Sequence, residues 1–300
     1  MRNLLRMKTP TSSSCDETAL TTRRGVIQAL GSLAAMSLLP ACGGPLANAD
    51  AGSDAPIDRD AATPDAATPR DDAGGDAMVT SRWASGGTVA MTAVATYPAP
   101  FTANSPSPCA LTLPTTLGPC FYDSPNRVDV SEGYPGLPMR LVLRVVDAMC
   151  RPIAGARVDI WHTGHTGLYS GGPIPFCTGG DPDAIAHGYG RGSQTTDEDG
   201  LVAFHTCFPG AYDGRALHIH FQVFPTGATM ASIVSQIFFP QPLIDEVFAS
   251  HPDYVDHGVP DTTNARDAIY RSVGPNSIVE YARMTDGAMQ AWKEVVIRGA

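Results

Sequence analysis

No stretch of the 300 residues is long enough to read as a comfortable membrane span; the main uncharged, largely apolar run covers only residues 25–41. Basic residues are outnumbered, 20 Lys+Arg against 30 Asp+Glu, and no basic segment is interleaved with aromatics. A nucleic-acid partner is therefore not expected. Seven cysteines occur, but none in C-x-x-C spacing, which argues against a structural zinc site. Helical periodicity is scarce as well, which leaves short strands as the main building material.

The chain starts with a basic, polar stretch that includes Arg2, Arg6, Lys8, Arg23 and Arg24, followed by the apolar run. T-T-R-R-G-V-I at their junction resembles a twin-arginine export signal, and L-P-A-C, ending at Cys42, resembles a bacterial lipobox. In a lipobox the cysteine is lipidated, so residues 1–42 read as a signal peptide and the chain as exported to the periplasm or cell surface on a lipid anchor. Pro40 departs from the small residue usual ahead of that motif, and A-N-A at 47–49 offers a rival cut at Ala49. Residues 43–77 hold no aromatic and carry eight Asp against two Arg, with D-A-A-T-P repeated. Such a segment buries too little apolar surface to offset its ordering entropy. Residues 43–90 are accordingly expected to be a disordered tether, and they account for most of the acidity. Five cysteines remain beyond it, an odd number in an oxidising compartment, which predicts one or two disulfides and a leftover thiol.

From residue 95 to 300 short alternating runs are separated by Gly, Pro and Asp turns. The segments 139–147, 156–162, 201–208, 217–224, 232–239 and 293–297 predict strands, and 242–250 and 263–270 predict helices. This pattern indicates an all-β fold, a β-sandwich with irregular loops and few short helices. P-I-A-G-A-R-V-D-I-W and T-T-D-E-D-G-L-V-A-F look like the strand–turn–strand units of extracellular sandwich modules, so a cell-surface binding or spacer module without chemistry is one reading.

The segment G-A-Y-D-G-R-A-L-H-I-H-F-Q-V-F, residues 210–224, supports another. Alternate strand residues share a face, so His218, His220 and Gln222 point one way and Ile219, Phe221 and Val223 the other. On their own two such imidazoles fit a metal site, a surface accident or a structural hydrogen-bond pair. Tyr169, in T-G-L-Y-S-G-G, and Tyr212, six residues before His218, extend the set to two phenols and two imidazoles without a carboxylate. Phenolate is a hard anionic donor, whereas zinc favours Cys, His and carboxylate, and ferrous oxygenases favour two His and a carboxylate. The set therefore points to mononuclear, non-haem Fe(III).

D-I-W-H-T-G-H-T-G-L-Y-S-G, G-R-G-S-Q-T-T-D-E-D-G and P-G-A-Y-D-G-R-A-L-H-I-H-F, in that order, resemble the intradiol ring-cleavage dioxygenases, in their exported, protocatechuate-dioxygenase-like branch. L-G-P-C-F-Y-D and R-V-D-V-S-E-G upstream and V-S-Q-I-F-F downstream extend the likeness from about Cys109 to the C-terminus. The resemblance implies Tyr169 and His218 as equatorial and Tyr212 and His220 as axial iron ligands. It implies a catechol-type substrate and O2, cleaved to a cis,cis-muconate-type diacid. Tyr212, or a hydroxide in the fifth position, would also accept a proton, Arg215 would stabilise negative charge on the substrate, and Gln236 would help position it. Trp161 and Pro119 are expected to wall the ring pocket, with simple core packing as the alternative for each. Arg215 has the wrong strand parity for the histidine face, so a turn or bulge at Asp213–Gly214 is expected to re-aim it. L-G-P-C-F replaces the commoner E-G-P-Y-Y, placing Cys120 where an aromatic usually approaches the pocket. The insert holding Cys177 is expected to cover the pocket, tethered to Cys207.

Overall fold

The computed structural model describes residues 82–101 and 109–298. The signal peptide, Cys42, the rival cut at Ala49 and the tether up to residue 81 lie outside the described residues. In chain order the elements are β1 (Pro138–Asp147), β2 (Arg157–Trp161), short helices α1 (Pro175–Thr178) and α2 (Pro182–Ala186), then β3 (Arg191–Thr195) and β4 (Leu201–Cys207). β5 (His218–Phe224), β6 (Ile233–Phe238), α3 (Gln241–Ser250), α4 (Ala268–Val273), β7 (Glu280–Arg283) and β8 (Met289–Ile297) follow, with short 3-10 turns between some of them. The strands form two four-stranded sheets, β4-β1-β8-β7 and β3-β2-β5-β6. Every pairing is antiparallel except that of β1 with β8. The fold is an all-β sandwich with few short helices.

Period-two alternation builds the layer between the sheets. Leu141 and Leu143 of β1, Val158 and Ile160 of β2, Phe204 of β4, Ile219, Phe221 and Val223 of β5, and Met289 and Ala291 of β8 belong to one buried cluster. α3 adds Leu243, Ile244, Val247 and Phe248, its first turn set by Pro242, whose fixed φ suits that position. Burying a side chain of this size contributes about 1.5–3 kcal/mol, so the core face of β5 holds the strand while its other face remains free for chemistry.

The structure departs from the pattern-based reading in four places. β3, R-G-S-Q-T, and β7, E-Y-A-R, were not expected, because neither carries an apolar alternation; sheet pairing with β2 and β8 makes them strands. α4 starts at Ala268, not near residue 263, because the Asp267 carboxylate accepts from Tyr270 N at 2.8 Å and caps it there. The docked region reaches back to residues 82–90, inside the stretch assigned to the tether: the Trp83 indole donates to Glu246 and Gly87 N donates to the Gly136 carbonyl. Finally, Cys177 pairs with Cys120, and Cys109 with Cys150. Cys207 is a buried free thiol at the end of β4, in the other sheet, with Sγ near the Tyr134 carbonyl. The expected Cys177–Cys207 tether is thus replaced, while the expected leftover thiol is present. Among the described residues no helix is long and apolar enough to cross a membrane.

Candidate metal centre

On β5 the outward face carries His218 and His220, each only 3% exposed because loops cover that face. His220 lies opposite Trp161 of β2 on one side and Gln236 of β6 on the other, and Trp161 lies opposite Arg191 of β3. Arg191, Trp161, His220 and Gln236 therefore form one row across the whole sheet. Trp161 stacks on His220 with centroids 4.9 Å apart and planes 12° from parallel. It is fully buried, so it backs the imidazole and does not wall an open pocket as expected. His218 Nδ1 lies 2.7 Å from the Ala216 carbonyl, which can only accept; the proton therefore sits on Nδ1 and Nε2 keeps its lone pair.

Both phenols arrive on loops. Tyr169 follows β2, in a loop whose Gly167 has φ +83°; a Cβ there would lie 1.9 Å from the Ala211 carbonyl oxygen. Only glycine permits that approach, which brings the Tyr169 loop against the turn carrying Tyr212. The rings stand 5.8 Å apart. Tyr169 Oη and Tyr212 Oη each lie 3.3 Å from His218 Nε2, and His220 Nε2 lies 3.2 Å from it. Three of the four sequence-nominated ligand atoms thus lie close around the fourth, His218 Nε2. Gly118 packs against His220: a Cβ there would sit 3.2 Å from His220 Cε1. Neighbouring Pro119 is exposed.

This cluster is uncomfortable without a cation. The one lone pair on His218 Nε2 can take one hydrogen, yet three polar groups converge on it. Burial holds the imidazoles neutral: the His218 pKa falls to about 3, and that of His220 falls well below its ordinary value, with Arg215 adding to both. Burial pushes Tyr169 well above its usual value, assisted by Tyr212, and raises Tyr212 against the pull of Arg215. A bound cation reverses the preference of the phenols, since a nearby positive charge favours phenolate. Bonds of about 2.1 Å to a first-row ion, at angles of roughly 90–110°, place neighbouring donors roughly 3.0–3.4 Å apart; the separations from His218 Nε2 fall in that range. Among the described residues no group of three or more His, Cys, Asp or Glu is placed to hold a metal, so this set becomes four donors only through its phenols.

Arg215 lies outside β5, after a turn at Asp213–Gly214 where Gly214 adopts φ +81°. Its Nε donates to Asp267 Oδ2 at 2.7 Å and its Nη2 to Gln236 Oε1 at 2.6 Å. Gln236 Nε2, buried, has no partner among the described residues. Asp267 was not nominated from sequence. Its Oδ2 also accepts from Ala216 N at 2.9 Å, so one carboxylate holds the arginine, the peptide leading to His218 and the start of α4. A cavity of about 410 Å³ is lined by Phe221, Ser235 and Ile237, and also by Gln236.

A family model described as a dioxygenase, Dioxygenase_C, matches residues 121–282. The chain is 32% identical over 150 residues to the protocatechuate 3,4-dioxygenase beta chain of Burkholderia cepacia, covering 46% of this chain and 60% of that one. It is 26% identical over 206 residues to 6-chlorohydroxyquinol 1,2-dioxygenase of Cupriavidus pinatubonensis, covering 61% and 63%. These matches span about 60% of the curated relatives' own length. Among solved structures, an intradiol ring-cleavage dioxygenase from Tetranychus urticae is similar at a TM-score of 0.55 and 28% identity, over 63% of this chain and 95% of that one.

Proposed function

The chain belongs to the intradiol ring-cleavage dioxygenase family, and from that premise we propose that it is an Fe(III)-dependent dioxygenase acting on a catechol-type aromatic. It opens the ring between the two hydroxyl-bearing carbons with O2, giving a cis,cis-muconate-type diacid. The observation that carries this reading is the meeting of Tyr169, Tyr212 and His220 within 3.2–3.3 Å of His218 Nε2. Ferric iron, when bound, supplies the Lewis acidity and one-electron chemistry through which O2 reacts with an aromatic ring. The family uses non-haem iron.

The chain's own residues have distinct tasks in this account. His218 and His220 present neutral Nε2 atoms, kept neutral by burial. Tyr169 is the buried phenolate. Tyr212 is less buried and stands on the turn, so its Oη is the atom placed to take a proton from an incoming catechol hydroxyl. Arg215 is held at two nitrogens by Asp267 and Gln236, and its charge sits on the Tyr212 side of the site, where it stabilises anionic substrate. Gln236, its oxygen engaged by Arg215, turns its free Nε2 donor elsewhere and orients a substrate oxygen. We also propose that the chain is exported and lipid-anchored at Cys42. The two disulfides among the described residues support an oxidising destination.

The test is iron loading of the full chain followed by anaerobic catechol. The proposal expects one ferric ion per chain, a red or purple tyrosinate-to-iron band, and a shift of that band with catechol. A non-catalytic sandwich module would fold, stay colourless and bind no iron.

A further inference from the structure

The loop that bears Tyr169 has no sheet neighbour of its own. Instead it is closed into a ring of contacts. Tyr169 N donates to the Cys177 carbonyl at 2.8 Å, and Cys177 is bonded to Cys120. The Cys120 carbonyl accepts from Arg191 Nη2 at 2.7 Å, and Arg191 Nε donates at 2.8 Å to the carbonyl of Ser170, the residue after Tyr169. The ring thus returns to its starting point through one covalent bond and three hydrogen bonds. Its interior is packed: Cys120, Cys177, Trp161 and Tyr169 form one buried cluster, with Phe121 set edge-on to Trp161 at 4.9 Å.

Arg191 is 2% exposed. Its described contacts include no carboxylate; the guanidinium goes to two main-chain carbonyls and faces the rings of Tyr122 at 5.3 Å and Tyr169 at 5.9 Å. A buried cation of this kind is costly for stability, and replacement by apolar side chains is often neutral or better. Its placement does supply geometry: the planar fork spans two segments at fixed distance, which a lysine cannot do. Arg191 also stands in the same cross-strand row as His220, so it ties the loop ligand to the strand ligands.

We propose that Arg191 and the Cys120–Cys177 disulfide are positioning residues for Tyr169, a clamp without which the loop does not hold its phenol at the metal. The inference rests on the ferric reading above. The test uses the full chain, iron-loaded, in five forms: wild type, Cys120→Ser/Cys177→Ser, Cys109→Ser/Cys150→Ser, Arg191→Met and Arg191→Lys. Iron per chain, the energy of the visible band, the melting temperature and iron loss to a competing chelator are read for each. Cys120→Ser/Cys177→Ser and Arg191→Met should lose iron about 10–100-fold more readily than wild type and shift the band, with Arg191→Lys between Met and wild type. The Cys109/Cys150 variant should melt lower yet keep iron and band. Equal iron loss in both cysteine variants, or wild-type retention and band in Arg191→Met, overturns the clamp. Should the Cys120/Cys177 variant fail to fold, the Arg191 series decides. A wild-type chain that binds no iron removes the ferric reading first, and the clamp with it.

Discussion

His218 and His220 reach the site on β5, hydrogen-bonded to β2 and β6 and anchored by Ile219, Phe221 and Val223 on the opposite face, whereas Tyr169 reaches it on a loop closed by a disulfide and an arginine fork. Displacing the histidines means unzipping a central strand. Displacing Tyr169 needs only the opening of a loop, and local openings cost far less than global unfolding. A site that must place four donors within a few tenths of an ångström therefore secures its strand half through the core and its loop half through dedicated links. Tyr212 lies between these cases, on the turn entering β5, with Arg215 and Asp267 beside it. This fits a phenol that has to move a proton.

The largest expected effects come from the ligand set itself. Tyr169→Phe and His220→Ala should each remove the colour or lower turnover by more than roughly 100-fold, although one breaks the loop half and the other the strand half. Colour retained in the loop variant alone would show that the halves are not equal partners. Arg215→Met should come next, lowering kcat on the order of 100-fold while iron content and band stay as in wild type. A rise in KM with kcat unchanged would contradict its role in stabilising developing charge.

A pH series asks whether acid loosens the frame shared by both halves. His162, at the end of β2, is fully buried, with its ring nitrogens on the Thr163 carbonyl and the Thr206 hydroxyl, and burial lowers its pKa from 6.5 to about 4. The unfolded chain takes up this proton as pH falls below about 6.5, and the folded chain does not until about 4. Stability should be complete above that window and decline through it as pH falls, by up to roughly 1.4 kcal/mol per pH unit from this group. Denaturant melts at several pH values check this, and His162→Gln should flatten the slope. The smallest effect belongs to His187, on the insert and paired with Asp183 at the surface. His187→Ala should change stability by no more than about 0.5 kcal/mol and leave the band untouched.

The strand half was far more legible than the loop half. Alternation in L-H-I-H-F-Q-V-F assigned His218 and His220 to one face and the core residues to the other, because a strand's period is a local property. Tyr169 and Tyr212 came forward through their chemistry and the resemblance, and the folded chain brings both to His218. What local pattern could not supply was partnership across the chain. Asp267 lies 52 residues from the arginine it holds, and Cys120 lies 57 residues from Cys177. Arg191 sits in a polar strand with no alternation to announce it. Trp161 was read as a pocket wall, and its placement flat against His220 depends on the pairing of β2 with β5, which one strand's sequence does not encode.

The central claim, that two phenols and two imidazoles at His218 Nε2 hold ferric iron, is tested most directly by the visible spectrum of the iron-loaded full chain. The account predicts one iron per chain and a tyrosinate-to-iron band that shifts with anaerobic catechol and is shifted, or lost together with the iron, in Tyr169→Phe. A folded wild-type chain that is colourless and takes up no ferric iron would contradict it.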